Sequence, residues 1–160
     1  ILMDRGDRHS WTGDSLITQA VSLVAFGNFE FVRMNTERMQ DDENGIKTYA
    51  LHWIRLLADY VLRSGDRAFW EKQLPRVTAK LERVLQVADS KDFQGYPAFC
   101  GHDDRFGGFV EDTPPANLRY YQFLARRTAR EVLGLIDVFS SSAASGPARQ
   151  AAEELSLIHI

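Results

Sequence analysis

Apolar residues recur every three or four positions along most of this chain, and that spacing is the strongest constraint on its fold. The pattern covers residues 14–26, 29–40, 46–63, 70–88 and 118–139, and a weaker alanine-rich segment follows residues 140–147. Apolar side chains at this spacing form one face of an α-helix. We find no alternation of apolar and polar residues typical of a strand. The sequence therefore predicts an all-α fold of successive helical hairpins.

Short breaks between these segments predict where helices end. Gly27-Asn28 separates the first two segments, which makes them an αα-hairpin. Gly65 and Asp66 are the residue types that close one helix and cap the next. Pro75 lies inside the fourth segment, and since proline lacks an amide hydrogen it predicts a kink or a restart near residues 73–74.

The bulk composition excludes several classes of protein. The formal net charge is −3, so no basic surface predicts a nucleic-acid partner. Cys100 is the single cysteine, which excludes an internal disulfide framework. No apolar run is long enough to span a membrane, so we predict no membrane partner. We also predict no cofactor, and the composition leaves the cellular compartment open.

A dense polar motif, DRGDRHSWTGDS at residues 4–15, precedes the first helix. It holds three carboxylates, two arginines and an aromatic ring: Asp4, Asp7, Asp14, Arg5, Arg8 and Trp11. A pyranose site needs these groups, because a ring packs on the sugar's C–H face while carboxylates bind hydroxyls and transfer protons. The simpler interpretation is that Asp14 or Ser15 caps the first helix and the remainder is an exposed loop.

Two further acidic segments lie between helices. The segment 99–112 contains Asp103 and Asp104 beside His102, among glycines and phenylalanines. We predict no metal there, because no second ligand pair has suitable spacing. A charged loop tip packed by its own phenylalanines is the alternative. The other segment, residues 41–45, is predicted to be a solvated turn; His52 and Trp53, on the helix that follows it, are expected in the core or at its rim.

Taken together, four stretches of this sequence resemble the catalytic domain of the α-L-rhamnosidases. They are DRGDRHSWTGD, QAVSLVAFGNFEFVRMNTERM, YALHWIRLLADYVLRSGD, and GHDDRFGGF followed by NLRYYQFLARRTARE, in the family's order. The resemblance implies a partial (α/α)6 toroid over residues 1–155. We expect residues 156–160, SLIHI, to be a tail that is not native to this domain.

The resemblance also implies an inverting glycosidase with a carbohydrate substrate. Counting back from Trp11-Thr12-Gly13-Asp14, the family's proton donor falls on Asp7, where the family usually has glutamate. The implied sugar-binding residues are Asp4, Arg8, Trp11 and Asp14, with Asp103 and Asp104 as further candidates. Asp4 matches the family's leading aspartate only across a shortened spacing. The family's general base lies downstream, in the missing remainder of the same domain, so we do not expect these 160 residues to be active alone.

Three alternatives stay open from the sequence. The chain could belong to another six-hairpin glycosidase, such as a glucoamylase-like or trehalase-like enzyme. It could also be a sugar-binding relative without activity, because Asp7 is one methylene shorter than the usual glutamate and reaches less far. An α-solenoid scaffold is the third alternative, although its repeats have a fixed period and these hairpins differ in length.

Overall fold

The computed structural model describes residues 10–88, 115–140, 143 and 145–158 of the chain. The elements in these ranges are six α-helices: α1 Thr12–Ala25, α2 Phe29–Arg38, α3 Thr48–Ser64, α4 Arg67–Ala88, α5 Pro115–Phe139 and α6 Gly146–Ser156. This confirms the predicted all-α class. Within the same ranges, no helix is both long and apolar enough to cross a membrane.

The caps between helices follow the sequence prediction at two breaks. Gly27 has φ +61°, and the Asn28 side chain then accepts a hydrogen bond from the Phe31 amide at 3.1 Å to begin α2. Gly65 closes α3 in the left-handed region at φ +70°. Asp66 begins α4 by accepting from the Phe69 amide at 3.0 Å. Each cap satisfies a backbone group that a helix end leaves without a partner.

The beginning of α1 differs from the prediction that Asp14 or Ser15 caps it. The helix begins earlier, at Thr12, and Trp11 occupies the N-cap position, where its side chain does not cap the helix. The Ser15 amide donates to the Trp11 carbonyl at 3.0 Å, which places Ser15 inside the first turn. Its hydroxyl instead contacts the Met39 sulfur at 3.0 Å. The capping interpretation of Asp14 and Ser15 is therefore wrong.

Pro75 does not divide the fourth helix, so of the predicted kink or restart near residues 73–74 the restart is wrong. The helix α4 runs from Arg67 to Ala88 with Pro75 inside it. Pro75 is exposed, so water can bind the Glu71 carbonyl that loses its amide donor. On the opposite side, Trp70, Leu74 and Val77 are buried in the core. Burial of this face holds the helix together across the proline.

The odd-numbered helices lie side by side in one layer and run in the same direction. Gly13, in the first turn of α1, lies against Tyr49 in the first turn of α3. Further along, Gln19 donates to the Leu56 carbonyl at 2.8 Å. The α3 and α5 helices are joined by an ion pair between Arg55 and Glu131 at 3.3 Å.

The even-numbered helices form a second layer that runs the opposite way. The Trp70 indole, near the start of α4, donates to the hydroxyl of Ser140, just after α5, at 2.7 Å. The Gln122 side-chain amide, near the start of α5, donates to the carbonyl of Ala88, at the end of α4, at 3.1 Å. The α2 and α4 helices are bridged by an ion pair between Glu37 and Lys72 at 2.5 Å. The α6 helix packs on both α4 and α5.

The hydrophobic core lies between the two layers, with α3 at its centre. The largest side chains that it buries are Trp53, Trp70, Tyr49, Tyr121 and Met39. An apolar stripe on α1 remains outside the core. Ile17, Val21 and Val24 lie along the outer side of this helix, and Ile17 is 71% exposed. This stripe is typical of a surface that another element covers.

One end of the bundle collects several chain segments, and we call it the motif end. It comprises the first turns of α1, α3 and α5, the 39–47 connection and the end of α4 at Ala88. The polar motif at residues 4–15 enters α1 here. The segment 89–114 joins this end at both of its own ends, because α4 finishes and α5 begins there.

Candidate functional site

The structure describes two of the predicted site residues, Trp11 and Asp14. Both lie in or next to the first turn of α1, at the motif end, and both are partly exposed. The predicted proton donor Asp7 lies outside the described residues. So do the other predicted sugar-binding residues, Asp4, Arg8, Asp103 and Asp104.

Trp11 rests on a rigid aromatic support. Its ring meets the Tyr49 ring edge-on, with centroids 6.4 Å apart and an angle of 88° between the planes. Tyr49 is buried against Gly13, where an added Cβ would lie 2.9 Å from the tyrosine ring. Only glycine therefore allows α1 to approach this closely. Trp11 thus has an aromatic support and remains partly exposed, which suits stacking on a sugar.

His52 continues this aromatic cluster into the protein. Its ring lies 5.7 Å from that of Tyr49, and the residue is 7% exposed, as predicted for a position in the core or at its rim. Burial, assisted by the positive charge of Arg55, lowers the pKa of His52 to about 4. The imidazole is therefore neutral at pH 7. Its Nδ1 atom is buried without a hydrogen-bond partner in the described part of the chain.

The acidic connection at residues 41–45 is a solvated turn, as predicted, at Asp41, Asn44 and Gly45, which are exposed, but not at Glu43. Glu43 is half-buried and forms ion pairs with Lys80 and with Arg83, the latter at 2.7 Å. Lys80 is 2% exposed, and its ammonium lies 5.2 Å from the centre of the Trp53 ring. Because a buried ammonium requires compensation, Glu43 is drawn into the bundle.

The ionisation of this cluster follows from burial and charge. Burial lowers the pKa of Lys80, an effect that the Glu43 carboxylate opposes. Burial alone would raise the pKa of Glu43. The hydrogen bonds and positive charges of Lys80 and Arg83 outweigh this effect, so the pKa of Glu43 is lowered. Burial and the charge of Glu43 raise the pKa of Tyr121. Because its pKa is lowered, Glu43 is ionised at neutral pH.

Two hydrogen bonds tie this connection to the beginning of α1. The Thr12 hydroxyl donates to the Asp42 carbonyl at 2.6 Å, and the Asn44 amide donates to the Ser10 carbonyl at 2.6 Å. Asn44 has φ +51°, a conformation that asparagine tolerates better than most residues. The 41–45 connection thus anchors the residues through which the polar motif enters the first helix.

The sequence contained a signal for part of this cluster. Lys80 falls between Val77 and Val84 on the apolar face of the fourth helical segment, and a lysine at such a position needs a partner. The roles of Tyr49 and His52 gave no comparable signal, since aromatic residues are ordinary in a helix core.

Comparisons with known proteins do not identify the chain. No protein-family model, no curated protein and no solved structure matches it. Among the residues that the structure describes, no three His, Cys, Asp or Glu side chains group as metal ligands. Chemically, the described part of the motif end offers two partly exposed groups, the Trp11 ring on Tyr49 and the Asp14 carboxylate, of types that bind sugars.

Proposed function

We propose that this chain is part of the catalytic domain of an inverting glycoside hydrolase that acts on α-L-rhamnosides or related glycosides. The observation that carries this proposal is the support beneath Trp11. The motif DRGDRHSWTGD leads directly into α1. Its partly exposed tryptophan meets the Tyr49 ring edge-on, and Gly13 lets α1 pack closely against that ring. A ring held in this way provides a stacking surface without a further loss of entropy on binding.

The topology of the helices supports the same proposal. Because α1, α3 and α5 begin at the motif end, the polar motif and the acidic segment 99–112 connect to the same end of the bundle. Carboxylates from distant parts of the sequence are needed together in a glycosidase, which uses an acid and a base on either side of one bond. A solenoid scaffold has no such need.

The proposed architecture is a toroid of six hairpins, of which this chain supplies three. Two layers of helices, each running in one direction, are what successive hairpins of a toroid require. The exposed stripe of Ile17, Val21 and Val24 on α1 would receive another hairpin at the edge of the layer. The unequal lengths of the hairpins, 14 and 10 residues for the first and 17 and 22 for the second, favour a toroid over a regular repeat array.

In the proposed mechanism, Asp7 protonates the glycosidic oxygen, and a base beyond this chain activates water on the opposite face of the sugar. Trp11 stacks on the sugar, and the remaining polar residues bind its hydroxyls: Asp4, Arg8, Asp14, Asp103 and Asp104. Because Asp7 has a shorter side chain than glutamate, it must approach the leaving oxygen more closely. This feature favours a second candidate function, a relative that binds sugar without hydrolysing it.

The test is hydrolysis by the gene product that contains this chain. We expect release of the aryl group from an aryl α-L-rhamnoside in preference to a panel of other aryl glycosides. Asp7→Asn should reduce the rate at least about a hundredfold, as expected for loss of a general acid. Asp137→Asn, an exposed aspartate on α5, is the matched control and should leave the rate unchanged.

The outcomes separate the candidate roles. Unchanged hydrolysis in Asp7→Asn would exclude Asp7 as the proton donor. Sugar binding without hydrolysis of any glycoside would favour the non-catalytic relative. Absence of both binding and hydrolysis would contradict the proposal as a whole.

A further inference from the structure

The two residues that flank Trp11 in the chain are both held by the connection at residues 41–45. The Asn44 side-chain amide donates to the carbonyl of Ser10 at 2.6 Å, and the Thr12 hydroxyl donates to the carbonyl of Asp42 at 2.6 Å. These partners are 34 and 30 positions apart in the sequence. The main chain on either side of Trp11 is therefore fixed by a distant segment.

Asn44 lies in a tight turn. The Ile46 amide donates to the Glu43 carbonyl at 2.8 Å, which closes a turn with Asn44 and Gly45 at its centre. Both central residues have positive φ, +51° and +73°, as a type I′ turn requires. Asparagine followed by glycine is a pair that favours this turn. The turn determines the backbone of Asn44, and the side chain of Asn44 is then available to bond another segment.

Both ends of this turn are anchored in the bundle. At the first end, the Glu43 carboxylate pairs with the buried ammonium of Lys80. At the other end, Ile46 is buried, and its carbonyl accepts a hydrogen bond from the Tyr49 amide at 3.0 Å. Because the turn cannot shift without breaking these contacts, it provides a rigid base for the residues that precede α1.

The geometry at position 44 explains why the residue there is asparagine. Glycine, asparagine and aspartate tolerate a positive φ better than most residues. Glycine has no side chain to reach the Ser10 carbonyl, and an ionised aspartate can only accept hydrogen bonds. Asparagine combines the required backbone with an N–H donor. The bond to Ser10 holds the chain just before Trp11, whose own side chain does not cap α1.

We propose that Asn44 is a positioning residue that holds the Trp11 ring in its ligand-binding orientation through the Ser10 carbonyl. Asn44 does not touch the ligand in this scheme. It restricts the main chain next to the ring, so that less conformational freedom is lost when a ligand binds. The identity of the ligand as a sugar rests on the proposed function, whereas the restriction of Trp11 does not. Loss of the bond should therefore weaken sugar binding and also loosen the ring in the free protein.

The experiment compares two substitutions at position 44 of the 160-residue chain. Asn44→Gly and Asn44→Asp both introduce a residue that tolerates the turn, and both remove the donor to Ser10. The matched control is Asn28→Gly at the opposite end of the bundle. It also removes one exposed hydrogen bond of an asparagine side chain, the one accepted from the Phe31 amide. Urea unfolding at pH 7 establishes that each variant is folded.

Two measurements follow the ring and the ligand separately. Time-resolved fluorescence anisotropy of the free chain reports local motion mainly of Trp11, because Trp53 and Trp70 are fully buried. We expect a larger fast component of the decay in both position-44 variants and a wild-type decay in Asn28→Gly. Isothermal titration calorimetry with methyl α-L-rhamnoside should show an affinity about three- to tenfold weaker in both variants, as expected for one hydrogen bond, and unchanged in the control.

Three results would overturn the proposal. The first is a wild-type anisotropy decay in folded Asn44→Gly and Asn44→Asp, and the second is an equal change in Asn28→Gly. The third is a weaker affinity with an unchanged decay, because Asn44 would then act on the ligand directly. If the wild-type chain binds no glycoside, the proposed function fails, while the anisotropy of the free chain still decides the role of Asn44.

Discussion

His52 predicts a specific loss of stability in mild acid. The folded protein holds this histidine with a pKa of about 4, whereas its ordinary value is 6.5. As the pH falls below 6.5 the unfolded chain takes up a proton that the folded chain refuses, so stability falls until the pH reaches about 4. A difference of this size corresponds to about 2 kcal/mol of unfolding free energy lost between pH 7 and pH 5.

The perturbation that isolates this effect is His52→Gln, which replaces the imidazole by a neutral side chain. We would measure urea unfolding of the wild type and the variant at pH 7, 6 and 5. The comparison is between the unfolding free energies that the two proteins lose from pH 7 to pH 5. Glu43→Gln is the control, because the pKa of Glu43 is lowered from 4.5 and its contribution is lost only at lower pH. Equal losses in the wild type and His52→Gln over this range would refute the reasoning.

Four other substitutions test the motif end and the cap of α4 at the opposite end of the bundle. Gly13→Ala should destabilise the protein by about 1–3 kcal/mol in urea unfolding, because the added Cβ meets the Tyr49 ring at 2.9 Å. Glu43→Ala should be more destabilising than Lys80→Met, since the first leaves a buried ammonium unpaired and the second removes it; a reversed order of unfolding midpoints would contradict the assigned burial of Lys80. Asp66→Ala should cost about 1 kcal/mol through loss of the α4 cap, measured by thermal unfolding.

Local patterns in the sequence were sufficient for most of the helices. Gly65 and Asp66 act within a few residues of themselves, so their caps are predictable from the chain alone. Pro75 shows the limit of such reasoning. Its local cost favours a break, but burial of Trp70 and Leu74 on the opposite face maintains α4. Tertiary packing overrides a local preference there.

The candidate site was predicted less completely, because its supports come from distant positions. Trp11 and Asp14 belong to one motif and are visible as such in the sequence. The support from Tyr49 depends on the close packing of α1 on α3, which no local pattern reports. Glu43 was expected in solvent, since its partner Lys80 lies 37 residues away. An acidic cluster in a sequence indicates solvent exposure only where no buried cation needs one of its carboxylates as a partner.

The central claim is that the motif end binds sugar through Trp11, and tryptophan fluorescence tests it most directly. Trp53 and Trp70 are fully buried, so a change caused by a surface ligand reports mainly on Trp11. We predict a saturable change in emission when the chain is titrated with an α-L-rhamnoside, with loss of that change in Trp11→Phe. No saturable change with any glycoside, or the same change in Trp11→Phe, would contradict the claim.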